Sequence, residues 1–107
     1  MTVTLLKTEE QLENHLQQHS AFFVLKHSLT CPISAEAKRE FERFSSSSDF
    51  PCYILPIQES RALSNEMADR FQVKHESPQA LLIKKGQVIW HDSHYSITEK
   101  NLKNAAR

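Results

Sequence analysis

Ala21-Phe22-Phe23-Val24-Leu25 is five apolar residues in a row, and a strand built from them has no polar face to turn toward water. Such a run belongs in the interior of a sheet covered on both sides, so the rest of the chain must supply helices for two faces. Thr8-Glu9-Glu10-Gln11, just before the run, has the pattern of a capping box, in which the Thr8 hydroxyl and the Gln11 amide each satisfy a backbone N–H at a helix start. The helix that follows is predicted to reach about His19, with Leu12 and Leu16 sharing one face. After the run, a second helix carries Ala37, Phe41 and Phe44 as its apolar stripe and ends in Ser45 to Ser48 with Asp49.

Further along, Cys52-Tyr53-Ile54-Leu55 with Ile57 reads as a second short apolar strand, interrupted by Pro56. A helix predicted from Ser60 through Phe71 repeats Leu63, Met67 and Phe71 every four residues. Ala80 to Ile83 and Val88 to His91 flank Lys85-Gly86, which holds the only glycine of the chain, and are expected to form an antiparallel hairpin with Trp90 in its core. Ser96-Ile97-Thr98-Glu99 reads as another capping box, opening a closing helix that carries Leu102. With Val3 to Leu6 as a first strand, alternation early and a hairpin late give an α/β fold: a central mixed sheet flanked by helices on both faces. At 107 residues the whole chain, 1–107, fits a single domain.

The central strand delivers Thr30-Cys31-Pro32-Ile33-Ser34, which puts a cysteine where a strand ends and a helix begins. Unpaired N–H groups and the positive end of the helix dipole favour thiolate over thiol there. Pro32 suits a first helical turn, because the donor it lacks would be unpaired anyway. With Ser34 in the fourth place, no second thiol of a Cys-x-x-Cys pair can attack a mixed disulfide formed on Cys31, so the adduct must be resolved from elsewhere.

Charge excludes several alternatives. Thirteen basic and thirteen acidic residues leave a formal net charge of zero, so no electrostatic footprint for nucleic acid or an anionic membrane is expected. The longest apolar runs are too short to span a bilayer, and Met1 to Leu6 lacks the basic and apolar regions of a secretory signal. A cytosolic protein is expected, in which two cysteines spaced like no zinc site are catalytic or core residues rather than a structural disulfide. His91 and His94 lie on a strand and its exit, a poor arrangement for a metal.

Thr30-Cys31-Pro32-Ile33-Ser34, together with His75-Glu76-Ser77-Pro78-Gln79 and Trp90-His91-Asp92-Ser93-His94, resembles the monothiol bacilliredoxins, and the element order resembles the thioredoxin fold over essentially the whole chain. The resemblance implies a thiol-disulfide oxidoreductase that removes bacillithiol, a cysteine–glucosamine–malate thiol, from S-bacillithiolated client proteins. Bacillithiol would be a co-substrate rather than a tightly bound cofactor, and a bacillithiol disulfide reductase a further partner. Cys31 would be the nucleophile, Ser34 a hydrogen-bond donor to its sulfur, and Pro78 the cis proline that faces that sulfur.

Thr30, Pro32, Ile33, Ser77 and His94 are the further candidates for contact with substrate. Lys26 and His27 read as a solvated strand end, the alternative being positive charge near the thiolate or contact with the ligand's malate. Two departures narrow the comparison within the fold. Leu25 stands where thioredoxins carry a buried acid, and Asp92-Ser93-His94 stands where glutaredoxins carry a glycine pair. Cys52 reads as core filler, the alternative being a resolving cysteine that closes a disulfide with Cys31. A general disulfide oxidoreductase using both cysteines, and a thioredoxin-like binding module without turnover, are the competing functions.

Overall fold

A computed structural model describes residues 3–107. Strands β1 (Val3–Leu5), β2 (Ala21–His27), β3 (Cys52–Pro56), β4 (Gln79–Lys84) and β5 (Gln87–Ser93) form one sheet in the order β1-β3-β2-β4-β5. The β1–β3 and β3–β2 pairings are parallel, while β4 runs antiparallel to both β2 and β5. The apolar strand β2 therefore occupies the centre, where its continuous hydrophobicity requires it.

Alternation along β2 divides the core in two. Phe22 and Val24 point to the face covered by α1 (Glu9–Gln18) and α3 (Arg61–Phe71), where they meet Leu12, Leu63 and Met67. Phe23 and Leu25 point to the other face, covered by α2 (Pro32–Ser46) and α4 (Glu99–Ala105), where they meet Ala37, Phe41, Phe44 and Leu102. Trp90 packs edge-to-face on Phe23 in this second layer. Lys85 and Gly86 both have positive φ (51° and 77°), the backbone that a two-residue hairpin turn between β4 and β5 demands.

Helix starts follow the sequence at one end of the chain and depart from it at the other. Thr8 and Gln11 form the full capping box of α1, each bonding back to the other's backbone N–H. The cap of α4 is Thr98, not Ser96: the Thr98 hydroxyl accepts from the Asn101 N–H at 3.1 Å. Ser96 belongs to a single 3₁₀ turn, His94–Ser96, and its carbonyl oxygen accepts from the Asn101 side-chain amide at 2.7 Å. The 3₁₀ turn delays the helix by two residues, so the cap falls on Thr98.

β2 also runs two residues further than its apolar core, taking in Lys26 and His27. Neither is a solvated strand end: Lys26 is 1% and His27 7% exposed. Among the described residues no helix is long and apolar enough to cross a membrane.

Candidate active site

Cys31 is the N-cap residue of α2, with extended backbone (φ −102°, ψ 123°), and its half-buried thiol is free. An N-cap side chain normally accepts hydrogen bonds from the second and third helical residues, here Ile33 and Ser34. The Cys31 side chain makes no such bond as a thiol. A thiolate formed at this position would be placed to accept from those N–H groups.

The three residues between β2 and Cys31 are tied down rather than free. Gln58, just beyond β3, reaches across to them: its Oε1 accepts from the Leu29 N–H at 3.1 Å, and its Nε2 donates to the Ser28 hydroxyl at 2.9 Å. Ser34, fully buried, closes the loop from the other side by accepting from the Ser28 N–H at 3.3 Å. The Ser34 hydroxyl keeps its own proton available for a second partner.

Sequence reasoning missed Gln58, because nothing local marks an exposed glutamine that acts on a loop thirty residues earlier in the chain. Gln58→Ala is expected to slow reaction at Cys31 about tenfold through loss of positioning, while the unfolding midpoint in urea hardly moves. Rates and urea curves measured on the same preparations check this.

The second loop of the site precedes β4. Its Ser77–Pro78 peptide is cis, and Pro78 is buried. Lys26 of β2 pairs with Gln79 of β4, which sets this loop at the same end of the sheet as the loop carrying Cys31. Three hydrogen bonds frame it. The His94 N–H donates to the Pro78 carbonyl oxygen at 3.1 Å, the Gln79 side-chain amide donates to the Lys74 carbonyl oxygen at 3.0 Å, and the His75 Nδ1 lies 3.2 Å from the Ser64 hydroxyl. The Ser77 hydroxyl oxygen is buried without a hydrogen-bond partner.

Thr30, Cys31, Pro32, Ile33, Ser34, Ser77, Pro78 and His94 are thus gathered at one end of the sheet. Lys26 is not part of that group. It lies on the α3 face, where its ammonium donates to the Ser64 carbonyl oxygen at 3.0 Å and lies 3.3 Å from the His75 Nδ1, fully enclosed. Direct contact with substrate is excluded by that enclosure. Burial pushes the Lys26 ammonium down to about 8, and burial together with the Lys26 charge holds the His75 imidazole below its usual range.

Cys52 is the core residue that its apolar strand implies, and the alternative of a resolving cysteine fails. It pairs with Phe23, whereas His27 pairs with Pro56, so Cys52 sits about 13 Å along the strands from the end that carries Cys31. A disulfide needs α-carbons within roughly 7 Å, so the fold does not allow one between these two cysteines. The Cys52 thiol is buried in the α2 layer, bonds the Phe50 carbonyl oxygen at 3.4 Å, and is pushed up by burial, which makes it inert core.

One thiol at a helix start, with no second cysteine in reach, is a monothiol arrangement, and the sequence matches the family described as Monothiol bacilliredoxin BrxC over residues 4–102. The chain belongs to the monothiol bacilliredoxin family. A solved structure described as a candidate oxidoreductase with a thioredoxin fold is similar to it at 38% identity, covering 99% of this chain and 95% of that one with a TM-score of 0.94. A mutant thioredoxin from Halobacterium salinarum NRC-1 (14% identity, 97% and 87% covered, TM-score 0.81) shares the fold. So does the reduced Schistosoma mansoni thioredoxin pre-protein (17% identity, 98% and 95% covered, TM-score 0.77). Family and fold together make this bacilliredoxin a thiol oxidoreductase. Its half-buried cysteine at a helix start is where exchange chemistry is expected.

Proposed function

We propose that the protein removes bacillithiol from S-bacillithiolated client proteins in the cytosol, with Cys31 as the nucleophile. The observation that carries this reading is the single free thiol at the start of α2, with the other cysteine buried at the far end of the strands. The Cys31 thiolate attacks the bacillithiol sulfur of the mixed disulfide. One sulfur–sulfur bond forms as the other breaks, and the client leaves as a thiolate that takes a proton from solvent.

Bacillithiol is then attached to Cys31. A second bacillithiol thiolate attacks it, releasing bacillithiol disulfide and restoring Cys31, and a bacillithiol disulfide reductase would recycle that product. No tightly bound cofactor enters any step. Ile33 and Ser34 N–H groups stabilise the sulfur anion as it forms and leaves, and Ser34 also holds the preceding loop. Ser77 and Pro78, at the same end of the sheet as Cys31, would present the Ser77 backbone to an extended client segment.

The test uses one client peptide prepared with either bacillithiol or glutathione on its cysteine. Release from the bacillithiol adduct is expected to be at least about tenfold faster, since the ligand beyond the sulfur supplies binding energy that glutathione does not match. Equal rates would reduce the assignment to a general thiol exchange protein. No release from either adduct would favour a binding module without turnover.

A further inference from the structure

Lys26 and His27 are neighbours in sequence, but β2 turns them to opposite faces, and only His27 faces α2. The His27 ring hydrogen-bonds the Ser34 backbone and feels the charges of Lys38 and Glu42. Its Nδ1 is buried without a hydrogen-bond partner, in a side chain more than nine-tenths enclosed. His27 forms part of a groove of about 210 Å³ between α2 and the β1–β3 edge of the sheet. Leu5, Leu29, Ile54 and Pro56 make its apolar walls, and two of these, Leu5 and Leu29, are more than half exposed.

Three charged side chains reach the groove, and they are not equivalent. Glu59 is committed to the Lys7 ammonium at 2.9 Å. Glu42 and Lys38 are each in none of the ion pairs found among the described residues. A half-buried lysine in none of those ion pairs, set over apolar walls, is complementary to a carboxylate carried on a small organic molecule. Leu29 precedes Cys31 by two residues, so the groove begins within about 7 Å of chain from the reactive residue.

We propose that this groove is the subsite for the carboxylate-bearing end of the small thiol transferred to Cys31, with Lys38 as the carboxylate's partner. The proposal rests on the reading of function above, in which the malate of bacillithiol supplies the carboxylates. Glu42, on the rim, opposes a dianion and tunes how tightly it is held.

The test compares one client peptide carrying bacillithiol with the same peptide carrying β-mercaptoethanol, an adduct without charge. In K38Q the ratio of the KM for the bacillithiol adduct to that for the neutral adduct is expected to rise about fivefold, the worth of one solvent-accessible charge-assisted contact. In E42Q the same ratio is expected to fall. Neither residue is part of the buried core, and circular dichroism verifies that the variants fold. Ratios unmoved in both variants would overturn the groove assignment while leaving the parent reading intact, provided the wild type acts on the bacillithiol adduct. A KM shifted equally for the two adducts would also overturn it, because the carboxylate sensed by Lys38 would then belong to the client. A wild-type protein active on the neutral adduct and inactive on the bacillithiol adduct would remove the parent reading and the subsite together.

Discussion

Cys31→Ala is expected to abolish release of bacillithiol from a modified client, lowering the rate by about 10³-fold or more, to that of free bacillithiol alone. The expectation follows from the arrangement of sulfur in the fold. Of the two cysteines only Cys31 is partly exposed, and only Cys31 lies where helix-start N–H groups can donate to an anion. Cys52 cannot substitute for it, being 1% exposed, pushed up by burial and held at the far end of the strands. Cys52→Ala should therefore keep the wild-type rate, with a stability loss of roughly 1 kcal/mol from the lost packing. Full activity in Cys31→Ala, or loss of activity in Cys52→Ala without unfolding, would contradict the account.

Lys26→Met is expected to make the protein more stable at pH 7 by about 2 kcal/mol. Lys26 is fully enclosed and has only neutral partners, the Ser64 carbonyl oxygen and the His75 ring. Burial lowers it from 10.5 to about 8. Over the window between these two values the unfolded chain holds a proton that the folded chain has released, so stability rises with pH from about 8 to about 10.5. Below pH 8 both states are protonated and the full cost of the buried charge remains, at most about 3 kcal/mol for a shift of this size.

Methionine has similar reach and no charge, and replacing a buried ion by an apolar residue of like volume is commonly neutral or stabilising. The lost bonds to Ser64 and His75 offset part of the gain, which is why the expected figure lies below the upper bound. Urea unfolding of both proteins at pH 7 and pH 10 checks this. The variant's advantage should be present at the lower pH and nearly gone at the higher one. Cys52 and Tyr53 are both pushed up by burial, but they are common to the two proteins and cancel in the difference. A variant less stable than wild type at pH 7 would show that the two hydrogen bonds outweigh desolvation.

What the sequence disclosed and what it hid divide along physical lines. The central position of β2 follows from a run with no polar face, and the two-layered core follows from stripes such as Leu63-Met67 and Phe41-Phe44. Cys31 at a helix start was legible because strand, proline and helix pattern are all local. The continuation of β2 through Lys26 and His27 was not. A charged residue reads as a strand end, and only the Ser64 carbonyl oxygen, 38 residues away, explains why a lysine can be enclosed there.

Gln58 was hidden for the same reason, since its loop-holding bonds cross thirty residues of chain. The reach of Cys52 toward Cys31 depended on register, and sequence carries no measure of how far along a neighbouring strand a residue sits until the pairing of Phe23 with Cys52 is known. At α4 the local pattern pointed to Ser96, and a 3₁₀ turn over His94–Ser96 that no local pattern specified moved the cap to Thr98.

The most direct test of the central claim is to mix the reduced protein with one equivalent of a bacillithiolated client, quench with acid, and map both proteins by mass spectrometry without reduction. The account predicts the mass of bacillithiol on the peptide containing Cys31, a free cysteine on the client, and an unmodified Cys52. Bacillithiol retained by the client, or recovered on Cys52, or a disulfide joining Cys31 to Cys52, would contradict it.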